Sequence, residues 1–174
     1  FGNVLYNYDQ KYFAQASYRR DASSRFAKEH RWGDFWSLGG AWILSKEKFF
    51  QDLNAKWVNN LKLKVSIGQQ GQDGIPDFRY IERYSLQRGT NSMLPSLAAL
   101  GNKNITWETT TNFNIGTEFS LFQNRLNGEF NWYTKKTTDM LFSLSVPESM
   151  GVRGYYANVG DIRNTGVEFS LSAD

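Results

Sequence analysis

The chain has 174 residues, 16% of them aromatic, with 15 Gly, 3 Pro and no Cys, and a mean hydropathy of −0.55. Such a composition favours strands and turns over a helical bundle, and no apolar run reaches the roughly 20 residues that a membrane-spanning helix needs. The formal net charge of +3 comes from basic residues scattered without a stripe or motif, which excludes nucleic-acid binding as the reading of the charge.

Phe1–Tyr8 and Lys11–Arg20 form a predicted hairpin about the short Asp9–Lys11 turn. In its second strand Tyr12, Ala14, Ala16 and Tyr18 oppose Gln15, Ser17 and Arg19. Asp21–Asp34 follows as a long polar loop. Phe35–Leu44 alternates again, with Trp36, Leu38, Gly40, Trp42 and Leu44 on one face. In Ser45–Asn60, Phe49, Phe50, Leu53 and Trp57 recur at spacings of three and four, the mark of a short amphipathic helix.

Leu61–Gly68 sets Leu61, Leu63, Val65 and Ile67 against Lys62, Lys64, Ser66 and Gly68. The long Gln69–Thr106 stretch is a loop within which Phe78–Leu86 forms an extra hairpin strand. Trp107–Leu121 divides almost completely into an apolar row through Trp107, Phe113, Ile115 and Phe119 and a polar row through Asn112, Asn114 and Glu118. After a Gln123–Arg125 turn, Leu126–Thr137 places Phe130 and Trp132 opposite Glu129 and Asn131. Met140–Tyr156 is a third long loop, and Val159–Ser172 closes the series with Val167, Phe169 and Leu171 against Glu168 and Ser170.

A strict two-residue period gives a sheet one dry and one wet face, which suits both a soluble sandwich and a membrane barrel. Several runs reach the roughly nine to eleven residues of a transmembrane strand, against about five or six for soluble strands. Trp107, Trp132, Tyr12 and Tyr18 near strand ends would suit interfacial girdles. Short connections in bacterial barrels are periplasmic and long ones extracellular, so Phe1–Tyr8 descends, Lys11–Arg20 rises, and the later strands alternate. Ser45–Asn60 breaks the length rule, and its helix would cap the periplasmic rim.

Six segments of the chain bear a family likeness. Leu100–Gly116 reads LGNKNITWETTTNFNIG, Gln123-Asn124-Arg125 forms a turn, and Asn158–Glu168 reads NVGDIRNTGVE. Upstream lie Tyr6–Phe13, Arg19–Ala27 and Arg31–Phe35. In this order they resemble the C-terminal barrel half of SusC-like (SusC/RagA) TonB-linked outer-membrane transporters. The resemblance implies an all-β fold, an antiparallel transmembrane β-barrel segment with long extracellular loops and one short periplasmic helix. Residues 1–174 would be part of the barrel, with the plug domain, signal peptide and remaining strands outside this chain. It further implies nutrient import with a SusD-like surface lipoprotein, with TonB engaged through a segment elsewhere, a glycan or peptide ligand, and outer-membrane lipid around the wall. No cofactor is implied.

Register then assigns Phe113, Ile115, Phe119, Phe130 and Trp132 to lipid, and Asn112, Asn114, Glu118, Glu129 and Asn131 to the lumen. The loop aromatics Trp32, Tyr80, Tyr84, Tyr155 and Tyr156 are the candidate ligand contacts. Enzyme constellations are sparse. His30 is the single histidine and lies in the polar run Lys28-Glu29-His30-Arg31, which suits a surface residue rather than a triad base. With no Cys and one His, a zinc site is not expected. Gly68, Gly71 and Gly74 lack the Lys-Ser/Thr of a phosphate loop. Glu108, Glu118 and Glu129 share a face, as a glycosidase pair would, but lumen-facing carboxylates are ordinary in a barrel. The competing reading is a soluble carbohydrate-binding β-sandwich that uses the same aromatics as a stacking platform.

Overall fold

The computed structural model of the chain describes residues 1–53, 55–88 and 93–173. Positions 89–92 of the expected Gln69–Thr106 loop, and Asn54 in the rim segment, lie outside them. Its body is one antiparallel sheet of seven strands: β1 (Gly2–Tyr8), β2 (Tyr12–Ala22), β3 (Trp32–Ile43), β4 (Val58–Gln72), β7 (Glu108–Leu121), β8 (Leu126–Thr138) and β11 (Ile162–Ala173). They adjoin in that order. Six of the seven run 11 to 15 residues, long enough to cross a bilayer. Two smaller hairpins stand apart from the sheet, β5 (Arg83–Arg88) with β6 (Met93–Ala99), and β9 (Leu141–Ser145) with β10 (Gly154–Asn158).

The register carries the two-faced pattern across the whole wall. One row runs Ala14, Gly40, Val65, Ile115, Trp132 and Val167, and the next runs Gln15, Gly39, Ser66 and Asn114. The apolar row is left uncovered: Val4, Leu38, Val65, Ile115, Phe130, Val167 and Phe169 are all exposed. A sandwich would pack a second sheet on this face, and among the described residues none does. Among the described residues no helix is long and apolar enough to cross a membrane, which says nothing against crossing by strands.

Both tight turns need left-handed backbone. Asp9 and Gln10 have φ 51°, and Lys11 N–H bonds the Tyr8 carbonyl at 3.0 Å. Gln123 and Asn124, at φ 61° and 66°, repeat this with Arg125 N–H on the Phe122 carbonyl. Successive positive φ values, which at the second turn include Phe122 at 54°, reverse the chain tightly between the Tyr8–Tyr12 and Leu121–Leu126 pairs.

Four expectations need correction. The Asp21–Asp34 loop is shorter, because Ala22 pairs with Trp32 and the β2–β3 ladder continues upward. At this end of the sheet the ladder persists although the hydropathic alternation has faded. The strand placed at Phe78–Leu86 begins only at Arg83, since Phe78 adopts φ 60° and breaks the extended run. The helix α1 spans Lys48–Asp52 after a 3₁₀ turn at Leu44–Lys46, so Trp57 lies beyond it at the foot of β4. Trp107 is not a girdle residue. It precedes β7 and turns into the loops, packing on Phe26 and Phe35 at ring separations of 5.4 and 5.3 Å.

The fully buried side chains belong to the loops rather than to the sheet. Phe26, Ile75 and Ile105 form the buried cluster, with Tyr80, Trp107, Leu141 and Tyr156 against it. Phe35 joins this cluster from above the point where the β3–β4 ladder ends at Ser37 and Gly68. Its ring fits because Gly33 and Gly71 carry no Cβ there.

Candidate functional site

Two features are available to a ligand, the polar face of the sheet and the loop cap at one end of it. On the polar face, Asn112, Asn114, Glu118, Glu129 and Asn131 are brought onto one side by the β4–β7–β8 register. Glu118 stands directly opposite Glu129, an arrangement that would repel if unrelieved. Lys62, paired with Glu118 across the other ladder, lies 3.4 Å from it. Lys64 bridges both carboxylates, with its Nζ donating to Glu118 and, at 2.6 Å, to Glu129. Asn131 Nδ2 donates to the same Glu129 oxygen at 2.8 Å. The wall thus carries a compensated charge patch.

Beside it the concave face encloses a trough of about 640 Å³ that includes Gln15, Lys64, Asn114, Asn131, Tyr133 and Glu168. Gly116 keeps this floor low, because a side chain there would strike Asn131. This face offers carboxylates, amides, an ammonium and a phenol, with Leu5, Phe13 and Val65 also lining the trough. Among the described residues no group of His, Asp and Glu is placed to hold a metal ion.

The loop cap is tied together by residues of the sequence motifs. Asn158 donates from Nδ2 to the carbonyls of Thr106, at 2.9 Å, and Asp139, at 2.7 Å, and accepts from Thr106 N–H at 2.9 Å. Glu108 accepts from Leu141 N–H at 3.0 Å, and Trp107 Nε1 donates to the Arg31 carbonyl at 3.1 Å. Ser23 donates to Asp73 at 2.7 Å, and Arg25 reaches the Asp73 carbonyl and the Asp77 carboxylate. Three loops far apart in sequence therefore share one core and one set of clasps. The Trp-Glu and Asn-Val-Gly motifs act as these clasps, a role that strand periodicity alone did not reveal.

The five candidate aromatics divide. Tyr80 and Tyr156 pack on the buried cluster, and Tyr156 also lies under the Arg79 guanidinium at 5.2 Å. Tyr155 is half-buried on β10 beside Leu144. Tyr84 lies on the β5–β6 hairpin opposite Leu97, 62% exposed, with its hydroxyl donating to Glu82 at 3.2 Å. Trp32 lies in β3 on the same outward row as Trp36 and Leu38, with the Arg20 guanidinium 5.1 Å above its ring. The structure brings Tyr80 and Tyr156 together and keeps Trp32 and Tyr84 apart from them. Lys62 and Lys64 were missed as site residues, since only the register reveals that both face paired glutamates.

Comparison with known proteins gives the same picture. The family described as "TonB dependent receptor-like, beta-barrel" matches residues 1–174. The chain is 36% identical to "TonB-dependent receptor P39" of Formosa agariphila, over 99% of this chain and 17% of that protein. It is 34% identical to "TonB-dependent receptor SusC" of Bacteroides thetaiotaomicron, over 99% of this chain and 18% of that one. The solved "RagAB peptide importer in the 'closed-closed' state" superposes with a TM-score of 0.89 at 32% identity, over 98% of this chain and 19% of the other. The chain thus spans less than a fifth of the length of these relatives. It belongs to the TonB-dependent receptor β-barrel family, whose members are bacterial outer-membrane proteins.

Proposed function

We propose that residues 1–174 form part of the wall and loop cap of an outer-membrane transporter that imports oligosaccharides or peptides. In this reading a SusD-like surface lipoprotein closes over the loops and TonB energises uptake through another part of the protein. The observation that carries it is the division of one single-layered sheet into an uncovered apolar face and a polar, charge-compensated concave face. A wall of this kind has lipid on one side and a hydrated passage on the other. The ordered cap supports ligand capture at its exposed rim, with Tyr84 the most accessible of the five candidate aromatics, Trp32 on the outer row next to it in accessibility, and Tyr155 half-buried. Tyr80 and Tyr156 serve chiefly to hold the loops that present them. The match to RagAB, described as a peptide importer, supports testing peptides first.

The test is growth of a strain that lacks the native transporter and carries the full-length gene. Cultures on defined oligosaccharides or on peptides as the limiting nutrient are compared with and without an intact TonB system. TonB-dependent growth on one class, lowered by Tyr84→Ala while the protein remains at normal level in the outer membrane, is expected. Growth that is indifferent to the gene on both classes would remove the nutrient-import reading.

A further inference from the structure

The segment that joins β3 to β4 packs against the outward row of the sheet at the rim. Trp42 belongs to the outward row, paired with Tyr12 and stacked on it at 6.1 Å. Phe49 of α1 packs edge-on against that same Trp42 at 6.4 Å. Glu47 accepts hydrogen bonds from the Tyr12 hydroxyl and from Trp42 Nε1, the latter at 3.1 Å. Lys46 reaches across to the Gln10 carbonyl at 3.1 Å, which pins the segment to the β1–β2 turn. At the other end Trp57 stacks on Phe122 at 6.1 Å, and the Trp57 carbonyl accepts from Phe122 N–H at 2.7 Å. The linker is therefore folded outward over the foot of the lipid-facing surface.

Fixed there, it still presents apolar groups to the surroundings. Phe49 is 52% exposed, Leu53 69% and Trp57 54%. Lys46, Lys48 and Lys56 stand against Glu47 and Asp52, so net charge is small and any attraction rests on the rings and the leucine. Aromatic rings beside lysines, continuous with a lipid-facing row and level with a tight turn, suit the headgroup boundary. We propose that Leu44–Trp57 is an interfacial anchor that seats Phe49, Leu53 and Trp57 in the phospholipid leaflet on the periplasmic side. It fixes the height of this part of the wall in the bilayer. The inference rests on the membrane placement of the family and is independent of what is imported.

The test uses the full-length transporter in phospholipid vesicles. Phe49→Cys, Leu53→Cys and Gln10→Cys are each labelled with an environment-sensitive fluorophore. The vesicles carry spin-labelled phospholipid, with the nitroxide either shallow or deep in the chain. Labels at 49 and 53 should emit to the blue of the label at 10 and lose fluorescence to the shallow nitroxide more than to the deep one. Emission like that of position 10, or blue-shifted emission that no lipid nitroxide quenches, would overturn the proposal, the latter because the segment would then be sheltered by protein. The native ring gives an independent reading if a labelled variant fails to form a heat-resistant barrel. In vesicles of brominated phospholipid, Trp57→Phe should remove a lipid-quenchable share of the tryptophan fluorescence, and no such loss would also overturn the assignment. Uptake assays do not enter either measurement.

Discussion

Ile115 provides a sharp test of which face meets lipid and where the bilayer lies. It sits near the middle of β7, which runs from Glu108 to Leu121, and shares its row with Val65, Trp132 and Val167. A cationic side chain on the lipid face costs about 2–4 kcal/mol at the midplane and about 0–1 near the interfaces. For Ile115→Arg, measured against Ile115→Ala so that lost packing cancels, this is about a 30- to 700-fold fall in the folding constant at ~1.4 kcal/mol per tenfold. Phe119 faces the same way but lies four residues down the strand, roughly 14 Å at ~3.4 Å per residue. Its Arg-minus-Ala difference should fall toward the interfacial value. Asn114→Arg, one residue away on the polar face, should be mild. The assay is denaturant unfolding of the full-length protein reconstituted in lipid vesicles. Equal penalties at 114 and 115, or a larger one at 119 than at 115, would refute the assigned face or depth.

Lys64→Met should lower the unfolding midpoint by leaving Glu118 and Glu129 opposed, and adding Glu129→Gln should recover much of the loss in a double-mutant cycle. In the loop cap, Ile105→Ala should cost about 2–5 kcal/mol locally and appear as faster proteolysis of the loops with little change in the melting of the wall, because Ile105 is fully buried among loop residues. Asn158→Ala should act in the same way by stranding the Thr106 N–H and two carbonyls, and hydrogen exchange at Thr106 would register it. Glu47 gives a pH signature: the Tyr12 hydroxyl, then Trp42 N–H, hold its carboxyl below the usual range. A depressed folded-state value means that the stabilisation is present above the ordinary carboxylate range and is lost as pH falls through the lower folded value. Acidification should therefore loosen the Leu44–Trp57 segment, and Glu47→Gln should abolish that pH dependence in exchange measurements.

The wall was legible in the sequence because its physics is local. A strand with one apolar and one polar face must alternate, so Leu61–Ile67 and Phe113–Leu121 announce both their conformation and which residues share a face. The Asp9–Lys11 and Gln123–Arg125 turns were equally readable, since short polar connections force the strands they join into antiparallel neighbours. The pairing of β4 with β7, across the intervening loop and hairpin, was not visible in that way. The Lys62–Glu118 and Lys64–Glu129 contacts depend on it. Hydrophobic period also failed at the loop end of the sheet, where β2 continues through Asp21 and Ala22 and where β6, β9 and β10 form inside stretches expected to be loop. There the ladder is joined by cross-strand contacts such as Tyr18–Asp34 and Arg20–Trp32, which hydropathic alternation does not mark.

Trp107 shows why the two regions obey different rules. Its position in the Trp107–Leu121 pattern assigns it to the lipid-facing row, yet it lies one residue before β7 begins, and there the constraint of register ends. Freed from the ladder, the indole is drawn to the nearest place that can bury its rings and satisfy its N–H: the space between Phe26 and Phe35, with the Arg31 carbonyl within reach. The same step joins the two regions mechanically. Glu108, the first residue of β7, accepts from Leu141 N–H at the base of the β9–β10 hairpin. The loops thus carry their own hydrophobic core while being clamped to the wall at the strand top. A cap built in this way can change the residues on its exposed rim without disturbing the strands, whose two faces are set by register. Variation in ligand preference among such proteins should accordingly fall at positions like Tyr84, outside the buried cluster, and spare Phe26, Ile105 and Asn158, whose loss would release all three loops together.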